Sequence, residues 1–353
     1  VSDIGSDQSP APLTRVPSGV PGLDVVLGGG FLQGGVYILQ GSPGAGKTIL
    51  GNQICFHLAS QGHRIVYMTL LAETHARLLQ HLRAMSFFDP SRIPEHISYM
   101  SAFASLEQGG FKGLLDLIRR ELRGREASVL VVDGLVAARD PSSTDRELKK
   151  FIHDLQIHAD MVGCTTFLLT SASDDHVLPE HTMVDGVIEL RDDLTGRRSE
   201  RTLRLKKFRG SRTLRGQHTF RITDAGLTIY PRIEALYRDP PAADPGSSDR
   251  LSIGVPELDE ILCGGLPGGT MTIVGGPTGS GKTTLGLHFV SKASQQEPAL
   301  LFTFYETPAR LLAKARSIGC PLEHLIEQGH LEIVWHPATE LHLDEVAHLL
   351  LEG

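Results

Sequence analysis

The chain has 353 residues, 41% of them hydrophobic and 21% charged, which is enough for two cores, because single cores rarely grow beyond roughly 250–300 residues. A formal net charge of -7 gives no surplus of Lys and Arg for a nucleic-acid backbone, and no stretch approaches the ~20 consecutive apolar residues of a membrane span. Cys55, Cys164, Cys263 and Cys320 lie far apart without the C-x-x-C spacing of a zinc or redox pair, so they read as reduced thiols of a cytoplasmic protein.

Residues 1–12 (VSDIGSDQSPAP) lack the basic and apolar parts of a secretion signal and are expected to be disordered. The segment GVPGLDVVLGGG follows at 19–30 and is echoed by GVPELDEILCGG at 254–265. Lys47 and Lys282 lie at the same offset as Gly19 and Gly254, which is the mark of a duplicated domain.

The apolar run at 36–39 predicts a buried strand, 48–60 a helix, 64–69 a strand and 74–85 a helix. A helix over 113–123, a strand over 128–133, a helix over 144–162 and a strand over 165–170 come next. Short apolar strands alternating with helices imply a parallel sheet covered on both faces. The stretches 186–191, 201–208 and 219–222 read as antiparallel strands or hairpins added to that sheet.

Residues 239–250 (DPPAADPGSSDR) have linker chemistry, with no apolar period. The expected division is therefore a first domain at 13–238, a linker at 239–250 and the N-terminal part of a second domain at 251–353. The second copy is expected to repeat strand, loop, helix, strand and helix, with a further strand at 331–335 and a helix at 343–351. It ends before any counterpart of Asp133. Either the chain is a fragment of a longer protein or the second fold is incomplete, and a fragment is the reading favoured.

Two segments fit G-x-x-x-x-G-K-[ST] between an apolar strand and a helix. They are Gly41, Ser42, Pro43, Gly44, Ala45, Gly46, Lys47 and Thr48, and Gly276, Pro277, Thr278, Gly279, Ser280, Gly281, Lys282 and Thr283. Glycines let successive N–H groups point at one anion, and the helix that follows adds its positive end. Lys47 and Lys282 are expected to reach the β- and γ-phosphates of ATP, with Thr48 and Thr283 placing a hydroxyl on Mg²⁺. Asp133 ends a strand and would emerge at the carboxyl edge of the sheet, where it can hold the water shell of the metal.

The chain resembles the KaiC branch of the RecA-like ATPases. The resemblance is carried by G-V-x-x-L-D-x-x-L-x-G-G before each loop, by Glu73-Thr74 and Glu306-Thr307, by Lys207-Phe208-Arg209-Gly210, and by FRITDAGLTIYP at 220–231. It implies a RecA-like α/β fold with a mainly parallel sheet flanked by helices, assembled into six-membered rings with ATP between neighbours. In that branch an adjacent glutamate pair polarises the attacking water. Only the second glutamate is present here, as Glu73 and Glu306, and the first copy carries one extra residue before it. The plain alternative for both is a helix N-terminal acid.

Lys207 and Arg209 stand two apart on a predicted strand and share a face. The resemblance implies that they reach the γ-phosphate of a neighbouring subunit, an arginine-finger role; the plain alternative is a solvated basic strand. Thr170 and Ser171 are weaker candidates for sensing the γ-phosphate, and His75 reads as a helix-surface residue.

The reading is a Mg²⁺-dependent ATPase that cycles between ATP and ADP as a homo-oligomeric ring and passes its nucleotide state to a signalling partner. The alternatives are an ATP-binding scaffold with little turnover, and a recombinase or helicase acting on DNA. The basic stretch 197–215 is the one local feature for DNA, and it lacks the interleaved aromatics of a single-strand platform. Autophosphorylation, known in the resembling family, would belong to a later part of the second copy.

Overall fold

In the computed structural model the described residues are 13–70, 75–135, 145–171, 182–238, 249–339 and 342–352. They divide into two compact units, Val1–Leu236 and Tyr237–Gly353. Among them no helix is long and apolar enough to cross a membrane.

The first unit opens with β1 (Arg15–Val16), α1 (Leu23–Leu27) and β2 (Phe31–Leu32). Its α/β body runs β3 (Val36–Gly41), α2 (Lys47–Ser60), β4 (Ile65–Thr69), α3 (His75–Leu82), β5 (Ile97–Ser101), α4 (Phe103–Arg125), β6 (Val129–Asp133), α5 (Asp145–Val162) and β7 (Thr165–Ser171). It closes with β8 (Gly186–Thr195), β9 (Arg198–Phe208), β10 (Gln217–Thr223), β11 (Gly226–Tyr230) and α6 (Ile233–Leu236).

Nine strands form one sheet in the order β11-β10-β9-β8-β3-β7-β6-β4-β5. The six from β8 to β5 in that order pair in parallel, whereas β9, β10 and β11 join antiparallel. The central strands are buried along their whole length, which is why they read as unbroken apolar runs rather than alternating ones.

Successive side chains sort onto two faces. Tyr37, Leu39, Tyr67, Val131 and Phe167 join α2 in one apolar cluster. Ile38, Val66, Val132 and Leu168 join α4 and α5 in another. Helix α2 is apolar on nearly every side because it is enclosed, from Leu50 to Ala59.

The structure also departs from the sequence reading. Strand β5 was not anticipated. Helix α4 begins ten residues earlier than expected, because its first turns are separated from the predicted helix by Gly110, whose φ of 58° and ψ of -156° break the helical path. A bulge lies between Val187 and Ile188 of β8 and their β9 partners Lys207 and Leu205.

The second unit contains β12 (Arg250–Leu251), α7 (Pro256–Ile261), β13 (Leu266–Pro267), α8 (Lys282–Val290), β14 (Ala299–Thr303), α9 (Pro308–Ser317), α10 (Glu323–Glu327), β15 (Leu331–Trp335) and α11 (Leu343–Glu352). Its small core gathers Leu287, Leu311, Leu322 and Leu331.

The repeated motif has one structural meaning in both units. Asp24 accepts the backbone N–H of Ser18 at 3.0 Å, and Asp259 that of Ile253 at 2.7 Å. Arg15 donates to the carbonyl of Gly30, and Arg250 to that of Gly265, at 3.0 and 2.8 Å.

The strand expected before the second loop is not formed. Met271 and Ile273 are 90% and 86% exposed, and residues 270–277 carry no strand. In the first unit β3 is held between β7 and β8. Among the described residues the second unit pairs β12 with β13, as β1 pairs with β2, and β14 with β15, as β4 pairs with β5, and neither pair includes residues 270–277. An apolar run without neighbouring strands has no ladder to join and stays open.

Candidate functional site

The first phosphate loop links the end of β3 to the start of α2. Gly46 caps that helix with φ 101° and ψ 9°, a conformation that only glycine reaches without strain. Gly281 caps α8 with φ 91° and ψ 8°, so both loops curl alike. Their lysines behave alike too. Lys47 Nζ donates to the carbonyls of Gly41 and Ser42 at 2.7 and 2.9 Å. Lys282 Nζ donates to those of Gly276 and Pro277, both at 2.8 Å. Each ammonium thus closes over its own loop. Burial lowers the affinity of Lys47 for its proton, and the nearby Asp133 partly offsets this.

Asp133 stands at the carboxyl end of β6, 8% exposed. Its Oδ2 accepts the Thr48 hydroxyl at 3.1 Å and the Tyr67 phenol at 2.9 Å. A hydroxyl and a carboxylate oxygen in contact beside a phosphate loop are the hard donors that Mg²⁺ takes while keeping several waters, so the residues present fit that ion. Among the described residues no cluster of three or more His, Cys, Asp or Glu could hold another metal.

One helical turn beyond Thr48 lies a polar group that the sequence reading missed. Asn52 donates to the carbonyl of Thr48 at 2.7 Å and to the Tyr67 oxygen at 3.4 Å, and it accepts the Tyr99 hydroxyl at 2.7 Å. Burial first, and then the neighbouring Asp133, push the Tyr67 phenol well above its ordinary value, so it stays a hydrogen-bond donor.

Glu189 was missed as well. It lies beside the last residues of β3, 3% exposed, and accepts from Gln40 at 2.9 Å, Arg191 at 2.9 Å and Lys206 at 2.7 Å. Burial alone would raise its carboxyl, but these three partners outweigh that and hold it below 4.5. The signal available in sequence was a charged residue inside the otherwise apolar run GVIEL.

Lys207 and Arg209 converge on one atom, the carbonyl of Thr182, at 2.7 and 3.4 Å. Arg209 lies just beyond the end of β9. Burial lowers the affinity of Lys207 for its proton, the adjacent Arg209 lowers it further, and Asp185 opposes both. The basic stretch around them is partly neutralised, since Arg201 pairs with Asp192 at 3.2 Å and Lys206 with Glu189. Thr170 and Ser171 end β7, opposite Gln40 and Gly41 in register.

Glu73 lies outside the described residues, as do residues 1–12, most of the expected linker and the side chain of His75. Glu306 stands just before the cap of α9, 3.9 Å from Lys314 and 41% exposed. Thr283 occupies the second position of α8 as Thr48 does in α2. Among the described residues no carboxylate bonds it as Asp133 bonds Thr48.

Residues 16–234 and 251–344 match the protein family described as "ATPase: KaiC". The circadian clock oscillator protein KaiC of Acaryochloris marina is 27% identical over 345 residues, which cover 93% of this chain and 65% of that protein. Its namesake from Synechococcus elongatus is 28% identical over 340 residues, covering 91% of this chain and 64% of that protein. The one from Thermostichus vulcanus is 26% identical over 343 residues, with coverage of 93% and 65%. The chain therefore spans about 65% of the length of the curated relatives that it matches.

Proposed function

The chain belongs to the KaiC family of ATPases, and on that premise we propose that residues 13–238 form a Mg²⁺-dependent ATPase domain, with 251–353 the beginning of a second. The observation that carries this reading is the 3.1 Å contact between Thr48 and Asp133 at the mouth of the first phosphate loop. A hydroxyl and a carboxylate in contact beside that loop support a site for a nucleotide-bound metal.

Lys47 leaves the two carbonyls it now caps and takes the β- and γ-phosphate oxygens, while the loop N–H groups from Gly41 to Thr48 cradle the chain of phosphates. When bound, Mg²⁺ supplies charge neutralisation on those phosphates. Glu73 polarises the attacking water. Lys207 and Arg209 reach a neighbouring subunit in a ring of six and neutralise charge there, and their convergence on Thr182 supports a shared direction. The second loop, with Gly276 to Thr283 and Glu306, binds phosphate as half a site.

The relatives are circadian clock oscillator proteins. For this chain we infer a cytoplasmic ring that passes its nucleotide state to a protein partner, without nucleic acid or membrane.

The test is phosphate release by purified protein with ATP and Mg²⁺, against Lys47→Ala and Glu73→Gln. Release should vanish in Lys47→Ala together with binding at the first loop. In Glu73→Gln it should fall on the order of 10²-fold or more with binding retained. Rings that bind ATP yet release no more phosphate than Lys47→Ala would overturn hydrolysis in favour of a nucleotide-held scaffold.

A further inference from the structure

We propose that Tyr67, held by Asn52 and Tyr99, is a positioning residue that keeps Asp133 aimed at the nucleotide-bound metal. The inference rests on the reading of Thr48 and Asp133 as the metal-side pair.

The geometry is a closed circuit. Starting from the Thr48 carbonyl, it runs through Asn52 Nδ2 at 2.7 Å, the Tyr67 oxygen at 3.4 Å and Asp133 Oδ2 at 2.9 Å, and returns to the Thr48 hydroxyl at 3.1 Å. The two metal-side residues are therefore joined directly and also through two side chains that would not touch the metal. Tyr99 fixes the circuit from outside by donating to Asn52 Oδ1 at 2.7 Å, and its ring lies 5.1 Å from that of Tyr67.

Register explains the fit. Thr69 of β4 pairs with Asp133, and Tyr67 pairs with Val131 on one side and Tyr99 on the other. Tyr67 therefore sits two residues down the same face as Asp133, and its ring spans that distance. The surroundings are apolar, with Leu50, Ile54 and Cys55 fully buried on the same face. Phenylalanine and leucine would fill such space without polar atoms in need of partners. A fully satisfied polar circuit in that setting points to a role at the end where it meets the loop at 41–48, which is the contact of Thr48 with Asp133.

That role follows from two donors meeting on one oxygen. The Thr48 hydroxyl would offer a lone pair to the metal while its hydrogen stays on Asp133 Oδ2. The Tyr67 phenol is bonded to the same Oδ2 and would hold the carboxylate in place from the buried side. Partners of this kind, one step removed from a metal, typically alter its affinity by 10–100-fold.

The experiment uses the full chain carrying Lys282→Ala, so that only the first loop binds nucleotide. Free Mn²⁺ is followed by electron paramagnetic resonance as it is titrated into protein saturated with ADP, and ADP binding is measured separately without metal. Tyr67→Phe should weaken Mn²⁺ binding about 10-fold and leave metal-free ADP affinity within about twofold. Tyr99→Phe, which loosens only Asn52, should produce a smaller loss in the same direction. Asp133→Asn is the control for the underlying reading. If Asp133→Asn weakens Mn²⁺ and Tyr67→Phe does not, Tyr67 merely packs and the inference is overturned. If Asp133→Asn itself changes nothing, the metal-side reading falls, and with it this inference. Loss of metal-free ADP affinity in Tyr67→Phe, in parallel with a lower melting temperature, would also overturn it, because that is the signature of a structural role alone.

Discussion

Replacing Gly46 by alanine separates two demands that the phosphate loop makes on this position. The first is conformational: at φ 101° and ψ 9° an L-residue is outside even the left-handed basin, which costs about 1–3 kcal/mol. The second is spatial. A Cβ at Gly46 would stand 2.7 Å from Ile222 Cδ1, with Leu227 Cδ1 at 3.9 Å. The end of Ile222 must move, and overpacking of that kind costs about 1–3 kcal/mol more. Gly46→Ala should thus destabilise the first unit by about 2–6 kcal/mol.

Gly44 is the internal comparison. Its φ is 83°, yet nothing lies within 4 Å of its would-be Cβ, so Gly44→Ala pays only the conformational part. Urea unfolding followed by far-UV circular dichroism reads both. Fluorescence serves as a control, because the single tryptophan, Trp335, lies in the second unit, and its transition should not move. A double-mutant cycle with Ile222→Ala then isolates the contact. The double variant should recover about 1–3 kcal/mol relative to the sum of the singles. A coupling within about 0.5 kcal/mol of zero, or a Gly44→Ala loss equal to that of Gly46→Ala, would refute the reasoning.

Acid stability should depend on Glu189. Its carboxyl is held below 4.5, so the folded state gains stability above the unfolded value and loses it as pH falls from 4.5 toward the depressed native value. Glu189→Gln should be less stable at pH 7 by about 1–3 kcal/mol, with the gap closing in acid; a gap that is constant from pH 7 to pH 3 in urea melts would exclude this account. Position also decides the effect of charge in the two phosphate-loop strands. Ile38→Asp, at 1% exposure, should lower first-unit stability by about 3 kcal/mol or more, whereas Ile273→Asp, at 86% exposure, should stay within about 0.5 kcal/mol. Equal losses in thermal melts would show that Ile273 is packed after all.

What was legible in the sequence was chiefly what local chemistry determines. The phosphate loops, the repeat with Asp24 and Asp259, and the central apolar strands all announce themselves, because glycine spacing and periodicity act over a few residues. The unformed strand at 271–274 did not, since its apolar letters match those of β3 and the difference lies in partners far along the chain. Strand β5 hid behind a polar, proline-bearing approach at 86–96. Tyr67 passed as an ordinary aromatic in a strand, and Asn52 as a polar letter in a helix, until the fold set them 3.4 Å apart. Glu189 was legible only as an oddity. Its three partners come from β3, β8 and β9, and no window of sequence contains them all.

The strand order has a consequence for synthesis. The loop at 41–48 leaves the ribosome before β7 and β8, yet β3 beneath it takes its neighbours from those strands, and the contact of Gln40 with Glu189 spans 149 residues. Strands β4, β5 and β6 can pair with one another before then. Until synthesis has passed β8, the Val36–Gly41 run lacks one or both of its neighbours and exposes an apolar edge, which is the kind of segment that chaperones hold and that aggregates when they do not.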